Sequence, residues 1–135
     1  MKINNLHKKY VLKKTLGYTF QMYHHLDDNN NECFTLTVMS REFRVKERAL
    51  LANPTYVVGL FDSKIKEYMF KRIEYSMNLI IDSLDLSDVL YIERNTNSFK
   101  VHKADSVYYE EVFYEGYEEL YNNLEEVVRN YKNYF

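Results

Sequence analysis

The stretch Cys33–Met39, Cys-Phe-Thr-Leu-Thr-Val-Met, decides how the first part of this chain folds, because its apolar and polar side chains alternate. In an extended strand this alternation places the Phe, Leu and Val side chains on one face and the two Thr side chains on the other. Residues 18–25 alternate in the same way. Residues 27–32 between the two runs are rich in Asn and Asp, which tolerate left-handed turn geometry. Together the segments predict an antiparallel hairpin with one solvated face.

Further elements are predicted on both sides of this hairpin. Each prediction depends on the spacing of apolar side chains and on residues that begin or end helices. In chain order they are a strand at Tyr10–Leu12 that turns at Gly17, a short helix from Ser40 to about Leu51 that stops at Asn53-Pro54, a buried central strand at Tyr56–Phe61, a helix from Asp62 to about Ser83, and a hairpin of Val89–Glu93 with Phe99–His102.

The last part of the chain, residues 106–134, has apolar side chains at alternating intervals of four and three, the spacing of a helical seam. The seam packs on the chain's own sheet or pairs with a second copy in a homodimer. Its interface residues in a dimer are Tyr117, Leu120, Leu124, Val127 and Tyr131. The start of the segment is also open. Residues 107–114 are β-prone and Gly116 costs about 1 kcal/mol inside a helix, so the alternative is a short strand before a helix that begins near Tyr117.

The predicted fold is a single α+β domain over residues 1–135, with an antiparallel-dominated sheet in the order ββαβαββα. Its helices pack on one face of the sheet, and a long helix ends the chain. The 135 residues have the length of one ordinary domain. The 14 Tyr and 8 Phe provide enough apolar surface for a buried core, which excludes a disordered chain.

Cys33 is the single cysteine, so no internal disulfide forms and an oxidising compartment is not needed. The basic N-terminal residues have no apolar stretch behind them of the length that a secretory signal requires. Nor does the chain contain a long uncharged apolar run. These features predict a cytoplasmic protein without membrane partners.

The net charge of −2 conceals two unlike parts of the chain. Residues 1–103 hold 16 basic and 12 acidic side chains, a net charge of +4. Residues 104–135 hold 2 basic and 8 acidic side chains, a net charge of −6, and several tyrosines lie among the acids. This charge split is the most informative feature of the sequence.

On a helix, Glu111, Glu115 and Glu118 share one face, where like charges repel. A helix that keeps them indicates a basic partner, for which tyrosines add contact area. The predicted partner-binding residues are Glu110, Glu111, Tyr114, Glu115, Glu118 and Glu119. The partner is a host protein with a basic surface, for example the nucleic-acid channel of an enzyme. The structural alternative is a solvated face whose acids complement the helix dipole.

A basic set provides a second hypothesis, an accessory protein that binds nucleic acid. The residues concerned are Lys8, Lys9, Arg41, Arg44 and Arg48, the three arginines lying along one edge of the predicted first helix. The negative net charge and the lack of a known nucleic-acid-binding pattern make this the less favoured hypothesis.

Few side chains are arranged for catalysis. His24 and His25 are adjacent, so on a strand they point to opposite faces and cannot bind one metal ion together. Cys33 lies across the predicted hairpin and approaches one of them at best. The spacing patterns of zinc sites, phosphate-binding loops and nucleophile elbows do not occur. The sequence therefore predicts no enzyme, no cofactor and no metal, and a small hydrolase or ring-opening enzyme with scattered Asp and Glu as acid and base stays the alternative.

In general style, the chain resembles the small inhibitors that phages and mobile elements direct at host enzymes and defence systems. It is small, rich in Tyr and Asn, and without a catalytic motif. No motif carries this resemblance. It implies a non-catalytic inhibitor or adaptor that acts in the cytoplasm of a host cell.

Overall fold

The computed structural model describes residues 8–38, 41–45 and 54–135. The chain groups into two compact units, an N-terminal unit of Met1–Glu67 and a C-terminal unit of Tyr68–Phe135. The single domain predicted from the length stays a prediction. The described elements in chain order are β1 (Lys8–Thr15), β2 (Tyr18–Leu26), β3 (Glu32–Val38), β4 (Arg41–Val45), α1 (Pro54–Ser83), β5 (Leu90–Arg94), β6 (Ser98–Lys103), β7 (Tyr109–Phe113), α2 (Tyr117–Arg129) and a 3₁₀ turn (Tyr131–Asn133).

The N-terminal unit contains a four-stranded antiparallel sheet in the order β1-β2-β3-β4. The hairpin predicted from Cys33–Met39 is confirmed as β2 and β3. In its loop, the Asp27 carboxylate accepts hydrogen bonds from the backbone N–H groups of Asn29 and Asn31, at 2.8 and 2.9 Å. Asn30 has the left-handed φ of 64° that the loop requires. The turn at Gly17, with φ 82°, is also confirmed.

The predicted helix from Ser40 to Leu51 is wrong in the part that the structure describes. Residues Arg41–Val45 form β4, with Arg44 opposite Thr35 and Phe43 opposite Leu36. A hydrogen-bonded ladder along the edge of β3 outweighs the weak local preference for a helix after a capping serine. The remainder of the predicted helix, including Arg48, lies outside the described residues.

The predicted strand Tyr56–Phe61 is also wrong, because these residues lie in the first turns of α1. Pro54 is the first residue of that helix, a position where its missing N–H costs nothing and its φ is already helical. Downstream, buried apolar side chains recur every three or four residues, as the helix prediction from Asp62 requires. They are Ile65, Met69, Ile73, Met77 and Ile80, whereas Leu84, beyond the end of the helix, is exposed.

The C-terminal unit contains a three-stranded antiparallel sheet in the order β5-β6-β7. The hairpin of β5 and β6 is confirmed. One face of this sheet, the inner face, carries the buried side chains Leu90, Phe99, Val101 and Val112. Phe70 of α1 packs against Phe99 with 5.2 Å between ring centroids. Helix α2 contacts β6 and β7.

The seam of α2 is buried within this single chain. Leu120 and Leu124 have no exposed surface, and Tyr117 and Val127 are nearly fully buried. The first of the two arrangements, packing on the chain's own sheet, is therefore the observed one. These four residues are not available as a dimer interface, and of the predicted seam only Tyr131 is partly exposed. Self-association through another surface stays a prediction.

The helix predicted over residues 106–134 is shorter than expected. Tyr109–Phe113 form β7, and α2 begins at Tyr117 directly after Gly116, as in the alternative with a short strand. Pairing with β6 gives these β-prone residues hydrogen-bonded partners in an antiparallel sheet. Gly116 thus lies outside the helix, where its flexibility costs little.

The predicted fold class, α+β with antiparallel strand pairing, is confirmed. The observed order is ββββαβββα, with two sheets where the prediction had one sheet in the order ββαβαββα. In the part of the chain that the structure describes, no helix is long and apolar enough to cross a membrane.

Two phenylalanines on neighbouring strands provide a matched test of this architecture. We expect Phe99→Ala to lower the free energy of unfolding by about 3–5 kcal/mol, because it leaves a cavity against Phe70. Phe113→Ala should cost less than about 1 kcal/mol, since Phe113 is 62% exposed on the opposite face. Urea unfolding of both variants measures the difference. Equal losses would contradict the assignment of the two faces.

Candidate functional site

The outer face of the β5-β6-β7 sheet carries a group of partly exposed aromatic side chains, and we call it the aromatic face. Its residues follow from the strand register: those opposite one another in the outward positions of the three strands lie side by side. They are Tyr91, Glu93, Lys100, His102, Tyr109, Glu111 and Phe113. Tyr91 is 52% exposed, Tyr109 46% and Phe113 62%.

His102 lies at the centre of this face, between two tyrosines. Its ring stacks on Tyr91 with centroids 4.6 Å apart and an interplanar angle of 6°, and the Tyr109 ring lies 5.4 Å away on the other side. His102 Nε2 is 2.7 Å from Glu93 Oε1, and the nitrogen donates because a carboxylate only accepts. These contacts come from β5 and β7 on either side of β6, and together they hold the His102 ring in one orientation.

Lys100 occupies the neighbouring row, opposite Glu93 on one side and Glu111 on the other. Its ammonium group does not pair with either carboxylate. It lies over the Tyr109 ring, with Nζ 4.5 Å from the centroid. Glu111 instead accepts a hydrogen bond of 2.6 Å from the Ser98 hydroxyl. The aromatic face thus already holds one cation on a tyrosine ring.

The arrangement has the chemistry of a binding surface. Tyrosine and phenylalanine rings offer amphipathic contact area and negative ring faces that attract cations. The carboxylates of Glu93 and Glu111 lie on the same face. Rings beside carboxylates recognise positively charged side chains, and arginine above all.

The predicted partner-binding acids do not share one helical face, and that part of the prediction is wrong. Glu110 and Glu111 are consecutive in β7, so they point to opposite sides of the sheet. Glu115 is exposed between β7 and α2, and Glu118 and Glu119 are exposed in the first turn of α2. There their charges complement the helix dipole, as in the structural alternative.

Two of the predicted residues lie away from the aromatic face. Tyr114 is half-buried against Phe70 and Tyr117, with ring centroids 5.8 and 5.1 Å away. Glu110 is opposite Val101, whose side chain is on the inner face. Of the predicted set, Glu111 alone is on the aromatic face.

The basic residues are also distributed differently from the prediction. Lys8 and Lys9 are exposed on β1, and Lys9 Nζ lies 5.6 Å from the Tyr23 ring centroid. Arg41 and Arg44 occupy β4 positions opposite Val38 and Thr35. Because Arg41 and Arg44 lie in a strand, the helix on which the three arginines were predicted to share an edge does not form at these two residues.

The N-terminal unit brings Cys33 and His25 together, as the sequence allowed. Cys33 Sγ lies 3.2 Å from His25 Nε2, and Thr35 Oγ1 lies 2.8 Å from the same nitrogen. His25 Nδ1 is 3.1 Å from the Leu26 carbonyl oxygen, which only accepts, so Nδ1 carries the proton. Nε2 is then the acceptor for the Thr35 hydroxyl and the Cys33 thiol. These contacts fit a structural role for His25.

Burial separates this group from a nucleophilic site. Cys33 has no exposed surface, so a substrate cannot reach its sulfur in the native structure. Reactive cysteines are partly exposed, which Cys33 is not. His24 lies on the other face, stacked on Phe34 at 4.3 Å and 3.1 Å from Glu32 Oε1.

Metal binding finds no support over residues 8–38, 41–45 and 54–135. In these ranges no group of three or more His, Cys, Asp or Glu side chains lies close enough together to hold a metal ion.

Sequence reasoning missed most of the aromatic face, although a signal was present. Residues 90–94 and 98–103 alternate, so Tyr91, Glu93, Lys100 and His102 follow from the same period that predicted the strands. Tyr109 and Phe113 were missed because residues 109–113 were assigned to a helix. If residues 109–113 are treated as a strand, Tyr109, Glu111 and Phe113 fall on one face, and pairing with β6 places them beside Lys100 and His102.

Comparison of the chain with protein-family models, with curated proteins and with solved structures finds no match.

The burial of Cys33 predicts a slow reaction with thiol reagents. We expect native protein to react with a disulfide reagent at least about 100-fold more slowly than protein in denaturant, because the reaction requires local opening. Cys33→Ala provides the background rate. A fast reaction of fully folded protein would contradict the structural role and favour a reactive cysteine.

Tyr134, which follows the C-terminal 3₁₀ turn, has a shifted pKa. The hydroxyl of Tyr134 donates a hydrogen bond to Glu126, and this bond raises the pKa of Tyr134 above the ordinary 10.0. Burial and the charges of Glu126 and Glu110 raise it further. Because the raised pKa favours the neutral phenol in the folded state, its stabilising effect is present below pH 10 and is lost as the pH rises through the folded-state pKa.

A spectrophotometric titration tests this interaction. We expect Tyr134→Phe to remove a tyrosine that ionises above the ordinary value and to leave the other 13 of the 14 tyrosines. Glu126→Gln should lower the pKa of Tyr134 toward 10.0, because the amide carries no charge. An unchanged titration curve for Glu126→Gln would contradict the assigned cause.

Proposed function

We propose that this protein is a non-catalytic binding protein that engages a basic surface of another protein through its aromatic face. The observation that carries the proposal is the exposure of Tyr91, Tyr109 and Phe113 on the sheet face opposite the buried Phe99 and Val101 of β6. Exposed aromatic groups of this kind cost solubility and are kept at interaction surfaces.

The charges around the rings favour a basic partner. Glu93 and Glu111 lie on the face itself, and residues 104–135, which include Glu111, have a net charge of −6. Such a surface attracts a positively charged protein over a distance and repels an anionic one. The binding segment in this proposal is a sheet face that carries two glutamates, rather than the helix expected from the sequence.

The type of protein expected from the composition agrees with such a surface. An inhibitor or adaptor from a phage or mobile element that acts on a host enzyme would meet lysines and arginines in a nucleic-acid-binding groove. Carboxylates beside aromatic rings would occupy the places of phosphates and bases there. A target of this class would also account for the excess of acidic over basic side chains in residues 104–135.

Nucleic-acid binding is the alternative, and exposed Lys8 and Lys9 on β1 are its support. The aromatic face also presents rings on which bases stack. Phosphates beside Glu93 and Glu111 would be repelled, however. The alternative therefore predicts binding through the N-terminal unit that weakens steeply with salt.

Removal of the two carboxylates from the aromatic face tests the proposal. The probe is a short glycine-serine peptide with three arginines, titrated into isotope-labelled protein and followed by NMR. We expect Glu93→Gln/Glu111→Gln to weaken binding by about 2- to 30-fold, since each exposed ion pair contributes roughly 0.2–1 kcal/mol. The shifted resonances should include those of Tyr91, His102 and Tyr109.

Glu118→Gln/Glu119→Gln is the matched control, because it removes the same charge from the first turn of α2. It should weaken binding less. A larger effect of this control would return the binding role to the helix acids. Binding of oligothymidine, with resonance shifts confined to β1, would favour the nucleic-acid alternative instead.

A further inference from the structure

Lys100 is the unexpected member of the aromatic face. It stands between two glutamates in register, the arrangement in which cross-strand ion pairs normally form. Both glutamates accept hydrogen bonds from other side chains, Glu93 from His102 and Glu111 from Ser98. The ammonium group lies on the Tyr109 ring instead. Among the described residues no carboxylate forms an ion pair with it.

The Lys100 contact identifies the Tyr109 ring as a cation site that the chain itself fills. A partner cation that approaches this ring meets the ammonium group already in place. Lys100 sits on a flexible four-carbon stem in a partly exposed position, so it can move aside into water. Its displacement leaves the ring, and the carboxylate of Glu111 opposite Lys100, to the incoming group.

Arginine is the side chain that this site fits best. A guanidinium group is planar and weakly hydrated, so it stacks on a tyrosine ring while its N–H groups donate to a carboxylate. A lysine from the partner offers no advantage over Lys100 itself, because the two groups are chemically identical. The ring and the carboxylate therefore favour arginine over lysine, whereas the displacement of Lys100 costs the same for both.

We infer that the Tyr109 ring and the Glu111 carboxylate form a recognition site for an arginine of the partner protein, and that Lys100 is a built-in competitor that lowers its affinity. This inference rests on the proposed function and adds to it the residue that is recognised. The juxtaposition of Lys100, Tyr109 and Glu111 carries it.

Substitution of Lys100 tests the inference directly. We expect Lys100→Ala to strengthen binding of the three-arginine peptide by about two- to fivefold, the range of an exposed cation–π contact. Lys103→Ala is the matched control, since it removes the same charge from the same strand at an exposed position that faces the other way. Its effect should be smaller. Equal strengthening by both variants would overturn the role of Lys100 and leave the proposed function intact.

Two further measurements distinguish the remaining outcomes. In native protein the peptide with three lysines should bind more weakly than the arginine peptide, because an ammonium group cannot stack on the ring and donate in a planar fork to a carboxylate. Equal affinities of native protein for the two peptides would overturn the preference for arginine.

The methylene protons of Lys100 should shift upfield over the Tyr109 ring and return downfield as the arginine peptide binds. Peptide binding that leaves these protons unmoved would overturn displacement, and the absence of binding to native protein and to Lys100→Ala would overturn the proposed function as well.

Discussion

The burial of Phe99 and Val101 in the central strand of the C-terminal sheet is the constraint on which the candidate site depends. A strand alternates its side chains, so a strand that buries these two residues must direct Lys100 and His102 to the opposite face. A slip by one residue would expose Phe99 and bury a lysine, at a cost of several kcal/mol. The core therefore sets the position of every group in the site, although it contains none of them.

The N-terminal sheet solves a different problem, because its strand β3 is buried on both faces. One face is apolar, but the other carries Cys33 and Thr35, whose polar atoms need partners. His25 supplies them from the adjacent strand, and its second nitrogen is held by the Leu26 carbonyl. A histidine beside a cysteine thus has a sufficient explanation in the energetics of a buried polar group, which costs about 1–3 kcal/mol when left without a partner.

The sequence allowed accurate prediction where alternation or helical spacing extended over a whole element. The hairpins of β2 with β3 and of β5 with β6 follow from period two, and the buried positions of α2 follow from the intervals of four and three. The prediction failed at Arg41–Val45 and at residues 56–61, where local signals were short. Ser40 is a good helix cap and a run of Val residues favours a strand, but pairing with β3 and continuation of α1 decided both segments.

The candidate site was harder to predict, because the positions of the acids along the chain do not show which of them share a surface. Of the eight acids in residues 104–135, several have structural partners: Glu118 and Glu119 lie at the positive end of α2, Glu125 pairs with Arg129 at 3.0 Å, and Glu126 accepts from Tyr134. The acidic excess is therefore distributed around α2 and the chain end. The selective surface is the smaller set of residues on the aromatic face. There the rings supply contact area, and the carboxylates favour a partner with positive charge. Glu93 is one of the two carboxylates of this surface, and it lies outside the acidic segment of residues 104–135. Only the strand register shows that Glu93 and Glu111 lie on the same face, one on each side of Lys100.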